Sequence, residues 1–109
     1  MARAKILRYY VKVNGTEYPE GTYTIDAGSK VDIYVSAYNQ DYMFSPGVIW
    51  VGIYVNGKLV ASRSSYKGIN DRTTVSASYS FVATSDFTVE LKAGAGEVGG
   101  IVTDRRGCS

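Results

Sequence analysis

The residues of this 109-residue chain that could do chemistry are few, and the most specific pattern among them is glycine-rich. Gly94 to Gly99 has the sequence Gly-Ala-Gly-Glu-Val-Gly and fits G-x-G-x-x-G, in which a strand leads into a helix that binds a pyrophosphate. A dinucleotide site needs that helix and a further strand after the third glycine. Only residues 100–109 follow Gly99, so we expect a flexible turn between two strands and no cofactor.

The usual catalytic side chains are scarce. The chain has no histidine and one cysteine, Cys108. Without histidine it lacks the commonest general base and zinc ligand, and a single cysteine forms no internal disulfide or thiolate metal site, although pairing between chains stays open. Ser64 and Ser65 have no base beside them, and the acids are scattered over predicted turns and outward faces. We expect a protein that is not an enzyme.

Aspartates in predicted turns are the candidates for a metal site. Oxygen-rich loops at one end of a sandwich can hold calcium. The aspartates that fall in predicted turns are Asp26, Asp41, Asp71 and Asp86. No loop has closely spaced carboxylates, and aspartate is also favoured in turns because its side chain bonds nearby backbone N–H groups. The sequence therefore predicts no metal site.

Aromatic residues are the best candidates for a contact surface. Ten residues are tyrosine. Tyr34 and Tyr38 share the predicted outward face of one strand, and Tyr42 and Phe44 follow in the next loop. An outward aromatic stripe can pack against a neighbouring subunit or stack on sugar rings or bases, and tyrosine is also common on solvated sheet faces. These four residues form the predicted interface or ligand face.

Alternation with a period of two places these residues on strands. Residues 30–39 show it most clearly, and a one-residue slip there would bury Asp32, so the register is well specified. The side chains predicted to face inward there are Val31, Ile33, Val35 and Ala37. Residues 5–13, 72–83 and 87–91 alternate in the same way. In the first of these segments Leu7, Tyr9, Val11 and Val13 are predicted to face inward and Ile6 outward.

Two Asn-Gly pairs predict β-hairpins with type I′ turns, because Asn and Gly tolerate positive φ. Asn14-Gly15 ends the first alternating segment. Asn56-Gly57 joins the two arms of residues 48–65, around which the chain is organised. The first arm is apolar on nearly every residue, so we expect it to be central and buried on both faces, with Trp50 in the core. The second arm is more polar and is predicted nearer an edge.

No segment shows a helical period over ten or more residues. Several strands with turns every eight to twelve residues are typical of an antiparallel β-sandwich. The sequence predicts an all-β, single-domain, immunoglobulin-like sandwich of about seven to eight strands. Residues 1–94 form the predicted domain. Residues 95–109 are predicted as a glycine-rich turn, a last short strand that Ile101 to Thr103 could form, and a polar tail.

Residues 21–91 resemble the CARDB-like branch of immunoglobulin/fibronectin-like domains. The matching pieces are Asp26-Ala-Gly-Ser-Lys-Val-Asp-Ile-Tyr-Val-Ser-Ala-Tyr-Asn39, Val51-Gly-Ile-Tyr-Val-Asn-Gly-Lys-Leu-Val60 and Phe87-Thr-Val-Glu-Leu91. The resemblance implies a β-sandwich without catalytic residues. Domains of this kind are usually secreted adhesion or spacer modules, and the chain shows no signal peptide.

Charge and hydropathy limit the partners. The formal net charge of +2 is too small to argue for nucleic acid, and no stretch approaches the ~20 apolar residues of a membrane span. We expect a soluble, self-associating structural subunit of a virion or surface assembly, located in the virion or host cytoplasm. The alternative is a carbohydrate-binding or adhesion module that uses the tyrosine face.

Overall fold

The computed structural model describes residues 4–19, 21–40, 47–67, 72–95 and 97–108. Within these ranges the chain forms nine β-strands and no helix. The strands are β1 (Ala4–Val13), β2 (Thr16–Tyr18), β3 (Thr22–Ile25), β4 (Ser29–Asn39), β5 (Gly47–Val55), β6 (Lys58–Lys67), β7 (Thr74–Ala83), β8 (Phe87–Ala95) and β9 (Glu97–Cys108). The predicted all-β class is confirmed.

The strands form two sheets that pack on each other as a β-sandwich. The first sheet has the order β2-β1-β4-β7, and the second has the order β3-β9-β8-β5-β6. The pairs are antiparallel except for β3 and β9, which run parallel. The second arm of the Asn56-Gly57 hairpin, β6, is an edge strand as predicted.

The core lies between the two sheets and consists of alternate residues from their central strands. Val31, Val35 and Ala37 of β4 are fully buried, and Ile33 is 1% exposed. The second sheet contributes Ile49, Val51, Ile53, Val89, Leu91 and Ala93. Full burial of one such aliphatic side chain stabilises the fold by roughly 1.5–3 kcal/mol. The inward set predicted for residues 30–39 is confirmed. The alternation predicted for residues 72–83 and 87–91 is also confirmed, with Ala77, Tyr79 and Phe81 of edge strand β7 partly buried.

Both Asn-Gly pairs adopt the predicted hairpin turn. The φ angles are 49° and 84° for Asn14 and Gly15, and 52° and 77° for Asn56 and Gly57. Positive φ at both central positions is the signature of type I′, whose twist matches that of the flanking strands. The first turn joins β1 to β2, and the second joins β5 to β6.

Leu7 does not face inward as the alternation predicted. Its side chain is 61% exposed, while Ile6 packs against the core. β1 pairs residue for residue with β4 up to Ile6 and resumes at Arg8, so a β-bulge lies between them. The extra residue reverses the alternation. The predictions for Leu7 and Ile6 are therefore wrong, whereas those for Tyr9, Val11 and Val13 hold.

The described residues between 95 and 108 also differ from the prediction of a turn, a short strand and a tail. β8 continues to Ala95, and β9 extends from Glu97 to Cys108. β9 pairs with β8 on one side, and its residues 105–108 pair in parallel with Thr22–Ile25 of β3 on the other. Its pairing with β8 runs from residue 97 to 106 and its pairing with β3 from 105 to 108, so each part of β9 has a strand to which its backbone can bond. A glycine-rich, polar segment can therefore be a strand without an alternating apolar pattern.

Candidate interaction surfaces

Trp50 lies on the outer face of the second sheet and not in the core. Its neighbours Ile49 and Val51 are fully buried, whereas Trp50 itself is partly exposed. On either side its backbone pairs with Ser64 of β6 and Gly94 of β8. Because these residues are small, they leave part of the indole exposed. The prediction that β5 is buried on both faces is wrong, because within the described residues the sandwich has only two layers and nothing lies over this face.

Apolar side chains continue along this outer face on both arms of the hairpin. Val48 is 50% exposed and pairs with Tyr66, which is 67% exposed. Tyr54 pairs with Leu59, which is 47% exposed. We call these residues, together with the indole between the two pairs, the hairpin face: Val48, Trp50, Tyr54, Leu59 and Tyr66.

A groove of about 400 Å³ lies along the hairpin face, and Gly52 forms part of its floor. A Cβ atom at Gly52 would lie 3.2 Å from Cε1 of Tyr54 and 3.3 Å from Cδ1 of Leu59. The absence of a side chain there lets both groups lie close over the strand. Trp50, Ser62, Arg63 and Ser64 line the same groove, which is therefore aromatic on one side and carries hydroxyl groups and one cation on the other.

Two charged residues of β8 border the hairpin face. Nζ of Lys92 lies 4.5 Å from the centre of the Tyr54 ring, a cation–π contact. The same Nζ lies 4.0 Å from Oε2 of Glu90. The backbone of Lys92 pairs with Gly52 and that of Glu90 with Tyr54. One cation and one anion therefore stand side by side at this border.

Tyr34 and Tyr38, predicted as contact residues, lie on the opposite surface of the sandwich, the outer face of the first sheet. Both are partly buried. The ring of Tyr34 stacks on that of Tyr10, with centroids 5.3 Å apart and an interplanar angle of 17°. The other two predicted contact residues, Tyr42 and Phe44, lie outside the described residues. The structure thus adds Tyr10 to the predicted aromatic set.

Cationic side chains contact these rings. Nζ of Lys12 lies 4.4 Å from the centroid of Tyr10, and Cζ of Arg8 lies 5.9 Å from it. Cζ of Arg72 lies 5.9 Å from the centroid of Tyr38, and the backbone of Lys5 pairs with that tyrosine. We call this surface the basic aromatic face: Lys5, Arg8, Tyr10, Lys12, Tyr34, Tyr38 and Arg72.

Hydroxyl groups of β7 extend the same surface to the edge of the sheet. Thr74, Ser76, Ser78 and Ser80 are exposed. Oγ of Ser80 donates to Oδ1 of Asp32 at 2.5 Å. A second groove, of about 240 Å³, is lined by Tyr34, Ser76 and Ser78 on one side and by Ser62 and Arg63 of β6 on the other. This groove connects the serine row to the edge of the second sheet.

The glycine motif does not have the form that a nucleotide site requires. Gly94 lies in β8 and Gly99 in β9, so the described part of the motif belongs to a β-hairpin rather than to a strand and helix. Among the described residues no three His, Cys, Asp or Glu side chains cluster as metal ligands would; Asp41 and Asp71 lie outside those residues. In the same part of the chain, no helix is long and apolar enough to span a bilayer.

Comparison with known structures supports the fold. Two structures of the CARDB domain of a Pyrococcus furiosus protein are similar to this chain. The first, a crystal structure in complex with di-metal ions, has a TM-score of 0.57 and 10% identity, and the match covers 97% of this chain and 94% of that domain. The second, solved by NMR, has a TM-score of 0.58 and 14% identity, with 99% and 97% covered. No family model and no curated protein sequence matches the chain.

The chain therefore has the immunoglobulin-like β-sandwich fold of CARDB domains. The resemblance seen in residues 21–91 is confirmed at the level of the fold and extends over nearly the whole chain. Sequence identity this low carries no information about ligands or partners.

The hairpin face was not predicted, because a strand that is apolar throughout has the same sequence pattern whether its second face is buried or exposed. One signal was available. Residues 48, 50, 52 and 54 alternate Val, Trp, Gly and Tyr, and a glycine between aromatic residues on one strand face is poor core packing. It fits an open groove better.

Proposed function

We propose that this chain is a non-enzymatic structural and interaction protein that associates with a second copy of itself through the hairpin face. The observation that supports this best is the continuity of five apolar side chains on one outward surface. Contiguous exposed apolar patches mark interaction sites, and tryptophan and tyrosine are prominent among the residues that contribute most to binding.

The charges of the edge strand favour contact between faces over pairing between edges. β6 carries Lys58 and Arg63, both exposed, and none of its residues from 58 to 67 is acidic. Cationic residues on an edge strand disfavour pairing with another strand, and two copies of β6 side by side would bring like charges together. A second copy laid on the hairpin face does not require the two β6 edges to lie side by side.

The border of the hairpin face suits a twofold contact. In a twofold interface the same patch serves both partners, so it must be complementary to itself. Lys92 and Glu90 provide one charge of each sign, two residues apart on β8. When two copies meet face to face, the Lys92 of each can approach the Glu90 of the other. This self-complementarity favours a second copy over an unrelated partner.

The size of the face limits the affinity. β5, β6 and β8 present an area of about 30 Å by 14 Å, from ~3.3 Å per residue and ~4.8 Å per strand. Two copies would thus bury roughly 800 Å² in projection, which is less than the ~1,200–2,000 Å² of stable complexes. We therefore expect a dissociation constant in the micromolar range.

The only tryptophan of the chain lies in this face, so its fluorescence reports the contact directly. Sedimentation velocity and Trp50 emission should be measured together over a protein series from about 1 µM to 1 mM. We expect a monomer that becomes a dimer, with a blue shift of the emission over the same concentrations. A monomer throughout, or a dimer whose formation leaves the emission unchanged, would contradict the proposal.

A matched pair of variants identifies the face. Leu59→Ser removes an exposed apolar side chain from the hairpin face and keeps Trp50 as the probe. Tyr34→Ser removes a ring from the opposite surface. We expect the first to weaken dimerisation at least tenfold and the second to leave it unchanged. A larger loss of dimerisation in Tyr34→Ser than in Leu59→Ser would assign the contact to the tyrosine face that the sequence predicted.

A further inference from the structure

The bulge at Leu7 brings cations of β1 onto one surface. Without it, strict alternation would place Lys5 and Arg8 on opposite faces of the sheet. With it, the backbone of Lys5 pairs with Tyr38 and that of Arg8 with Ser36, and both cations are exposed. Oγ of Ser36 donates to the carbonyl oxygen of Arg8 at 3.4 Å, beside the bulge. Lys12, further along, completes a cationic row.

Positive charge exceeds negative charge on this surface. Among the described residues, the basic aromatic face and Lys30 beside it carry five cations. The carboxylates on the same side are Asp32 and Glu17, whose backbones pair with that of Lys12. Asp32 is already engaged, by the hydroxyl of Ser80 and by Nζ of Lys30 at 3.9 Å. The surface therefore has a net charge of about +3, which is larger than the +2 of the whole chain.

We propose that the basic aromatic face binds an acidic polysaccharide, a function separate from association through the hairpin face. The cations of β1 lie along more than 20 Å of strand at ~3.3 Å per residue, which suits a chain of carboxylates or sulfates better than one small anion. Arginine and lysine bind such groups through charge-assisted hydrogen bonds. The tyrosine and serine hydroxyls beside them can bond the hydroxyls of a sugar.

The stacking of the tyrosine rings on each other favours a polysaccharide over single-stranded nucleic acid as the ligand. Binding of bases uses aromatic faces that are free to stack. Here Tyr10 and Tyr34 stack on each other, and Lys12 stands over the Tyr10 ring. The rings therefore offer edges and hydroxyls more than open faces. The exposed hydroxyl row of β7 also matches a ligand that is rich in hydroxyl groups.

Isothermal titration with four polymers tests the proposal on the full chain. The probes are polygalacturonate, dextran sulfate, neutral dextran and an oligothymidylate. We expect binding to at least one of the two acidic polysaccharides, weakened by salt, and none to neutral dextran. Equal binding of neutral dextran, no binding of either acidic polymer, or tighter binding of the oligothymidylate would each overturn the proposal.

Two single variants with the same change in net charge separate a site from general attraction. Arg8→Gln removes one cation from the basic aromatic face, and Lys58→Gln removes one from the second sheet. We expect the first to weaken binding at least threefold and the second to change it less than 1.5-fold. Equal losses would show attraction by net charge alone and overturn the proposal. Repeating the titration in Trp50→Ser keeps the result independent of dimerisation.

Discussion

Asn56 forms hydrogen bonds with both backbone polar groups of Thr88 on the neighbouring strand. The backbone N–H of Asn56 donates to the carbonyl oxygen of Thr88 at 2.9 Å, and the N–H of Thr88 donates to Oδ1 of Asn56 at 3.0 Å. Asn14 and Lys30 form the same two bonds, at 2.8 Å and 2.9 Å, in the first sheet. Each Asn-Gly turn thus closes its hairpin and also fixes it to the start of a third strand.

Substitutions at Asn56 separate its two contributions. Asn56→Gly keeps the positive φ and loses only the side-chain bond to Thr88, so we expect a loss of ~1 kcal/mol in the free energy of unfolding. Asn56→Ala also forces a Cβ-bearing residue without a compensating bond into the left-handed region, and we expect ~2 kcal/mol. Urea denaturation followed by circular dichroism measures both. An alanine variant as stable as the glycine variant would show that φ does not matter here.

Trp50→Ala should cost less stability than a core substitution, because the indole lies on an outer face and is partly exposed. We expect a loss of ~1–2 kcal/mol in the free energy of unfolding, from the contacts of the ring with its own sheet and without a buried cavity. Leu91→Ala is the matched core variant. Leu91 is fully buried, and we expect ~2–5 kcal/mol from lost burial and the cavity left behind. Chemical denaturation at a protein concentration that keeps the chain monomeric compares the two variants. A loss of stability in Trp50→Ala as large as in Leu91→Ala would show that the indole belongs to the core.

The sequence was sufficient for those parts of the fold in which local chemistry dictates the geometry. The Asn-Gly pairs adopt the predicted turn because few other residues tolerate two consecutive positive φ angles. The inward set of β4 follows from strict alternation, since the opposite register would bury Asp32. These features depend on neighbouring residues alone, and they are enough to predict a two-layer sandwich.

The errors arise where the outcome depends on distant strands. Leu7 is apolar, and only the register with β4 shows that it is the extra residue of a bulge. Trp50 is apolar on an apolar strand, and the prediction that both faces of this strand are buried did not take into account that a two-layer sandwich leaves one face of each sheet open. β9 depends on pairing with β8 and, at its end, with β3, and neither partner can be recognised from the sequence of β9 itself. For the candidate sites, the sequence predicted correctly that Tyr34 and Tyr38 face outward. That Tyr10 lies beside them is visible only from the pairing of β1 with β4.

Gly52→Ala tests the shape of the groove apart from its composition. The new methyl group would press on Tyr54 and Leu59, at 3.2 Å and 3.3 Å. Both side chains end at an exposed face and can shift, so we expect stability to change by less than ~0.5 kcal/mol. The displaced groups should weaken dimerisation about tenfold, or ~1.4 kcal/mol. Sedimentation velocity checks this, with Ser62→Ala, which faces the same groove and adds no bulk, as the control expected to dimerise normally.

Deletion of Leu7 should be tolerated, since that residue has no partner in the pairing of β1 with β4. Without it, Ile6 still pairs with Ala37 and Arg8 with Ser36, and every inward side chain keeps its face. We expect the free energy of unfolding to change by no more than ~1 kcal/mol. Deletion of Tyr10 is the contrast. It changes the alternation around Tyr9 and directs Arg8 toward the core, so a loss above ~3 kcal/mol is expected from burying an unpaired charge. Thermal unfolding of the two deletion variants measures both losses of stability. Equal losses would mean that the bulge is needed for the fold itself and not only to place Lys5 and Arg8 on the outer face.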